Sequence, residues 1–271
     1  MSGFIGNARM YGVVPEVEAA WQALLAHIAD DAGVALAYTA YPAPQPLEKL
    51  WARPDLGAVL MCGYPIAMQL ADVVPIAAPV PALAWAGGRA VYRSDFIVRR
   101  DSRFETLEDT FGGRFGWTVA HSHSGFNAPR HHLLAFRTPG RPRLYAQVTG
   151  NLVTARKILD AVLAGEIDVG PLDAFWHALI ARHRPELLRD IRVVASTALA
   201  PIPAFVASPA LGGAAIGGLR SAFYGAAGRP WFASLAECLL IRGFVPVSPA
   251  DFAPTLAWDR AALAAGYGEP G

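Results

Sequence analysis

The sequence predicts a layered α/β protein of two lobes, and three observations predict it. Segments with strand and helix patterning alternate along most of the chain. The length, 271 residues, is ample for a large core and fits two smaller domains as well as one. Two strand-like segments, 91–98 and 191–195, bracket a block of ordinary domain size. The chain is therefore expected to divide into a discontinuous first lobe, residues 1–91 and 196–271, and a second lobe, residues 92–195. Each lobe is expected to carry a mostly parallel sheet flanked by helices. The two crossing strands form a hinge, and the cleft between lobes is the natural ligand site.

The elements follow in order. A short strand runs from Ile5 to about Tyr11. Pro15 stands where a first helical residue is favoured, and Val17, Ala20, Trp21, Leu24, Leu25 and Ile28 recur at helical spacing behind it. Residues 34–38 read as a strand, 47–51 as a short helix, 56–62 as a buried strand, 65–70 as a helix and 73–78 as a strand. Gly87-Gly88 breaks the chain before the strand at 91–98. The second block reads as a short helix in TLEDTF, a strand at 115–119 and a helix at 129–136. A strand at 144–148, a helix at 153–163, a strand at 169–171 and a helix at 172–183 complete it. After the strand at 191–195 come helices near 219–224, 232–241 and 259–264.

Composition narrows the function. A formal net charge of +1 offers no footprint for nucleic acid or an acidic membrane surface. The apolar stretch 56–88 carries only Asp72 as a charge, but Pro65, Pro75, Pro79 and Pro81 interrupt it, so it is not a membrane span. The two cysteines, Cys62 and Cys238, make neither a disulfide framework nor a metal motif. Nothing calls for a cofactor. The start, MSGFIGNARMYG, lacks the basic and apolar regions of a secretory signal. Two readings stand: a signal has been replaced, or the protein is cytoplasmic.

The sharpest local feature is Ser122-His123-Ser124-Gly125-Phe126, between a strand and a helix. A helix start exposes unpaired N–H groups and partial positive charge, and hydroxyls with a glycine beside it can surround an anion. The plain alternative is capping, which Ser also favours. His121, His123, His131 and His132 invite a metal reading, but no carboxylate or thiol stands near them in sequence, and no metal site is expected. Neither a G-x-S-x-G elbow nor a phosphate-binding P-loop is present.

The run YRSDFIVRRDSRFETLEDTFGGRFGWTVAHSHSGFNAPR, beginning at Tyr92, resembles the second-lobe entry of phosphate/phosphite/phosphonate solute-binding proteins of ABC transporters. That family shows a Tyr-x-Ser strand, Val-Arg-x-Asp-Ser, a Leu-x-Asp helix and a Ser-x-Ser-Gly-aromatic anion loop, in this order. TGNLVTARKILDAVLAGEIDVGPLDAFWHAL, MCGYP and ALAPIPAFVAS extend the resemblance over nearly the whole chain. It implies a type 2 periplasmic-binding fold. It also implies a site in which Ser122, His123, Ser124, Gly125 and Phe126 hold a small oxyanion through hydroxyls and backbone N–H groups. Tyr92 and Ser94 would face the cleft, Tyr64 would add a hydroxyl from the first lobe, and Asp173 would receive a ligand amine. Asp173 reads equally well as a helix N-cap. Where the family carries a histidine after a Gly-Ser pair, this chain has Gly150-Asn151-Leu152, so Asn151 is the candidate donor. His123 is expected to tune anion affinity near neutral pH.

The implied function is solute binding for an ABC transporter permease, by hinge closure, with periplasmic location. A cytoplasmic enzyme on the same fold, of menaquinone- or thiamine-precursor type, and a ligand sensor are the alternatives. Against an enzyme stands the lack of a base–nucleophile pair among the site candidates.

Overall fold

The computed structural model describes residues 3–271. In chain order the strands and helices are β1 (Phe4–Asn7), α1 (Pro15–Ala32), β2 (Leu36–Tyr38), α2 (Leu47–Trp51), β3 (Leu56–Met61), α3 (Gly63–Ala67), β4 (Val74–Pro81) and β5 (Val91–Tyr92). Then come β6 (Ser94–Arg99), β7 (Arg114–Gly116), α4 (Ala128–Leu133), β8 (Gln147–Thr149), α5 (Ala155–Leu163), β9 (Gly170–Asp173), α6 (Ala174–His183) and β10 (Ile191–Ser196). The last are β11 (Ala200–Pro201), β12 (Ala204–Ala207), α7 (Gly213–Gly225), α8 (Phe232–Leu239), β13 (Ile241–Val245) and α9 (Ala253–Ala264).

The chain forms two compact units, Met1–Val91 with Pro201–Ala253, and Tyr92–Ala200 with Pro254–Gly271. It therefore passes between units three times rather than twice. The sequence reading places 196–271 with the first lobe, whereas the residues from Pro254 onward pack into the second unit. The short strands β5 and β11, which pair, contain the first two passages.

The first unit is built on a six-stranded sheet in the order β13-β4-β12-β3-β1-β2. β1 runs parallel to β2 and β3, but β12 is antiparallel to β3 and β4, and β13 is antiparallel to β4. The sheet is mixed, not mostly parallel, because the returning strands of the C-terminal half enter it reversed. Trp21 on α1 meets Phe205 on β12 at 5.8 Å, and Phe205 stacks on Phe223 of α7 at 5.0 Å. The helical spacing of Val17, Trp21, Leu24, Leu25 and Ile28 puts these side chains in that core, all buried. α1 ends where Gly33 takes left-handed backbone, φ 64.

Prolines 75, 79 and 81 lie inside β4 rather than breaking it. A proline cannot donate to a ladder, so interior prolines need bulges. Register shifts sit beside them, between Phe205 and Val206 on one neighbour and between Ile241 and Gly243 on the other. Arg220 and Tyr224 of α7 donate to the carbonyls of Pro75 and Ile76, at 2.7 and 2.9 Å.

The second unit has a three-stranded antiparallel sheet, β10-β6-β9, and a parallel pair, β7-β8. A parallel bridge between Phe115 and Val169 connects β7 to the segment entering β9. One face covers a core of Phe96, Phe115, Trp117, Phe126, Leu133 and Tyr145. The opposite face of β6 carries Asp95, which accepts from Ser196 at 2.7 Å and meets His177 at 3.0 Å. No helix among the described residues is long and apolar enough to cross a membrane.

Candidate functional site

The loop singled out in the sequence is a helix entrance of particular form. Ser122 is extended (φ −77, ψ 129), and its hydroxyl oxygen accepts the N–H of Gly125 at 2.9 Å. Residues His123–Asn127 form a π-helical turn that runs without a break into α4. Single π turns are uncommon and recur at functional sites. The loop is tied to the preceding strand end by the Thr118 N–H, which donates to the Gly125 carbonyl at 3.2 Å. Gly125 is required here for space: a Cβ on it would stand 1.9 Å from the Thr118 hydroxyl oxygen.

The sequence candidates of the second unit gather around this loop. Ser94 is buried on β6, and its hydroxyl donates to the Ser124 carbonyl at 2.8 Å. Its one proton is thus spent on pinning the loop. Asp173 stands opposite Ser94 in register, and its Oδ1 accepts the N–H groups of Phe175 at 2.9 Å and Trp176 at 3.1 Å. Capping of α6 is the role this geometry displays. Tyr92 is buried, its ring 6.0 Å from that of His123. Ser122 and Ser124 are both half-buried. The N–H of Gly125, expected to meet an anion, is taken by Ser122; Phe126 packs its ring at 4.9 Å from Trp117. Asn151 is exposed with left-handed backbone, φ 57, and Val153 shares that conformation at φ 67. Left-handed backbone at a β-branched residue is strained. The N–H groups of Leu152 and Val153 donate to the carbonyls of Trp117 and Thr118, at 3.2 and 3.3 Å, which holds this segment against the strand end. Tyr64 lies in the first unit, buried in α3.

The structure adds partners that no sequence signal marked. Trp258 of α9 stacks on His123 at 5.1 Å and on His131 at 4.8 Å. Asn127 donates to the Thr255 carbonyl at 2.8 Å. Arg130, almost wholly buried, pairs with Asp259 and donates to the Gly268 carbonyl at 2.9 Å. The C-terminal segment thereby clamps the back of the loop. The clamp joins residues more than 120 positions apart, so no local pattern announces it. Among the described residues no group of three or more His, Cys, Asp and Glu is placed to hold a metal ion.

Electrostatics correct one expectation. Burial drives the His123 imidazole down from 6.5 to about 3, with the neighbouring His131 adding to the effect. His123 is neutral at physiological pH and cannot tune affinity there. Ligand affinity is expected to show no His123-dependent step between about pH 6 and about pH 8, which calorimetry on wild type and His123→Gln will check. Stability behaves differently. Below about 6.5 the unfolded chain takes up a proton that folded His123 refuses. Its contribution is fully present above that pH and is lost as pH falls toward about 3. The loss amounts to at most about 1.4 kcal/mol per pH unit. Urea midpoints of wild type are expected to fall more steeply over this window than those of His123→Gln.

The two-lobed α/β chain has the type 2 periplasmic-binding fold. Residues 14–252 match the family of ABC transporter, phosphonate, periplasmic substrate-binding proteins, and the chain belongs to that family. Solved structures agree on the fold. A binding protein component of an ABC phosphonate transporter from Pseudomonas aeruginosa superposes with TM-score 0.80 at 16% identity, covering 98% of this chain and 88% of that one. PhnD1 from Prochlorococcus marinus, solved with methylphosphonate, gives TM-score 0.77 at 14% identity over 96% and 97% of the two chains. XAC2383 from Xanthomonas citri, solved with ATP, gives 0.65 at 20% identity over 97% of each. No curated protein shows significant sequence similarity to the chain.

Proposed function

We propose that this protein binds a small tetrahedral oxyanion, a phosphonate or phosphate, at the Ser122–Phe126 loop and presents it to a transporter permease in the periplasm. The observation that carries the reading is the loop itself. It sets Ser122 and Ser124, both half-buried, at the start of a continuous helical run, residues 123–136, whose partial positive charge favours an anion. The nearby imidazoles are neutral or pushed below their ordinary range by burial, and the Arg130 charge is engaged by Asp259. The anion is therefore held by neutral dipoles, a mode that rewards geometry over charge. Asn151 and Tyr92 complete the proposed shell within the second unit. Asp173, opposite Ser94, would accept a proton from an amino group or a protonated oxygen on the ligand. Membership of a transporter family and the methylphosphonate complex of PhnD1 support the same reading.

The test is a thermal-shift screen of methylphosphonate, 2-aminoethylphosphonate, phosphate, sulfate and ATP, with Ser124→Ala as the control. A phosphonate or phosphate at 100 times its Kd is expected to add about 2.7 kcal/mol of stability. The gain should vanish in Ser124→Ala. A protein indifferent to every one of these ligands would refute the proposal.

A further inference from the structure

Thr118 lies at the strand end that precedes the Ser122–Phe126 loop. Its side chain is 6% exposed, and its hydroxyl has no hydrogen-bond partner among the described residues. A buried hydroxyl left in that state costs about 1–3 kcal/mol, so such groups are few and call for a reason. The position supplies one. The oxygen occupies the place that a side chain on Gly125 would fill, directly against the loop. Gly125 is not among the glycines with left-handed backbone, so its bare α-carbon serves to admit this hydroxyl. Two other hydroxyls near the loop have structural duties, Ser94 donating to the Ser124 carbonyl and Ser122 accepting from Gly125. The strand end bearing Thr118 is held in turn by the Val153 N–H, from a residue with strained backbone. Trp117 also has a buried indole N–H without a partner among the described residues. Successive side chains of an extended segment point to opposite sides, and the Trp117 ring lies against Gly150 and Phe126 in the core, so it is not part of this argument.

We propose that the Thr118 hydroxyl is a ligand-binding group, donating to an oxygen of the bound oxyanion from beneath Gly125. The inference rests on the loop being the anion site and adds a residue to it. It predicts opposite signs for two measurements on Thr118→Val, which removes the hydroxyl and keeps the shape. Affinity for methylphosphonate or phosphate, whichever wild type binds more tightly, should fall about tenfold or more by calorimetry, as for loss of one hydrogen bond to a charged group. The ligand-free melting temperature should hold or rise, because a buried unsatisfied group has gone. Thr118→Ser, which restores the hydroxyl, should bind within about threefold of wild type.

Wild-type affinity in Thr118→Val would overturn the inference while leaving the loop as the site. Unchanged affinity with a lowered melting temperature would do the same and mark the hydroxyl as a structural one, satisfied by buried water. Equal loss in Thr118→Val and Thr118→Ser would also overturn it, since packing and not the hydroxyl would then matter. If wild type binds none of the anions, both the oxyanion reading and the role of Thr118 fall together.

Discussion

Gly125→Ala is expected to abolish oxyanion binding and to destabilise the protein by about 1–3 kcal/mol, the usual cost of forcing an extra carbon into a packed site. The added Cβ meets three atoms of Thr118: Oγ1 at 1.9 Å, and Cβ and Cγ2 both at 2.8 Å. No rotation of Thr118 clears its own Cβ, so the loop must lift from the strand end. Lifting breaks the bond from the Thr118 N–H to the Gly125 carbonyl and strains the Ser122 cap. The hydroxyls of Ser122 and Ser124 then lose their placement, and an anion held by geometry has nothing to hold it. Calorimetry with methylphosphonate and urea unfolding give the two readouts. Gly140→Ala is the control, because a Cβ there meets nothing within 4 Å. It should change stability by less than about 0.5 kcal/mol. Adding Thr118→Gly to Gly125→Ala removes all three obstructing atoms and should return part of the lost stability. A Gly125→Ala protein that binds as wild type would mean the anion sits elsewhere.

Asp259→Ala is expected to cost more, about 3–5 kcal/mol, because it leaves a guanidinium buried without its counter-charge. The Arg130 side chain is 3% exposed and that of Asp259 18%, so water cannot replace the lost carboxylate. A surface pair would contribute about 1 kcal/mol at most, and the size of the loss separates the two cases. The double variant Arg130→Met, Asp259→Leu should recover much of the loss, as apolar replacements of buried pairs often do. The effect should also reach the loop. Arg130 donates to Asn127 Oδ1 at 3.2 Å, and Trp258, next to Asp259, stacks on His123. Weaker oxyanion binding and altered Trp258 fluorescence are therefore expected in the single variant. A loss below about 1 kcal/mol with unchanged affinity would show that the C-terminal segment does not position the loop.

Much of this was visible in the chain itself. α1 was legible because Pro15 starts it and a six-residue apolar stripe follows at helical spacing. The Ser-Gly pattern of the loop fits capping as well as an anion site, and it was its position in a run of motifs that marked the family. β13 was missed because α8 ends on Leu240, a left-handed residue (φ 52) that is not a glycine, so the stop carries no signature. The extent of β4 was missed because prolines in a strand interior normally argue against one, and the register shifts that accommodate them exist only where β4 pairs with β12 and β13.

The site divides along the same line. Sequence alone determined the alternation of elements and the Ser122–Phe126 pattern, which depend on periodicity or on residues within a few positions of one another, and the two-lobed class, which followed from bracketing strands and a resemblance along the whole chain. Only the tertiary structure decided which way the strands run, that Ser94 spends its proton on the loop and that His123 is too buried to carry charge. It alone placed Trp258 and Arg130 behind the loop and the Thr118 hydroxyl beneath Gly125. These depend on burial and on contacts between distant residues. A buried group's charge and partners are set by what surrounds it in space, and neighbours in sequence do not report that.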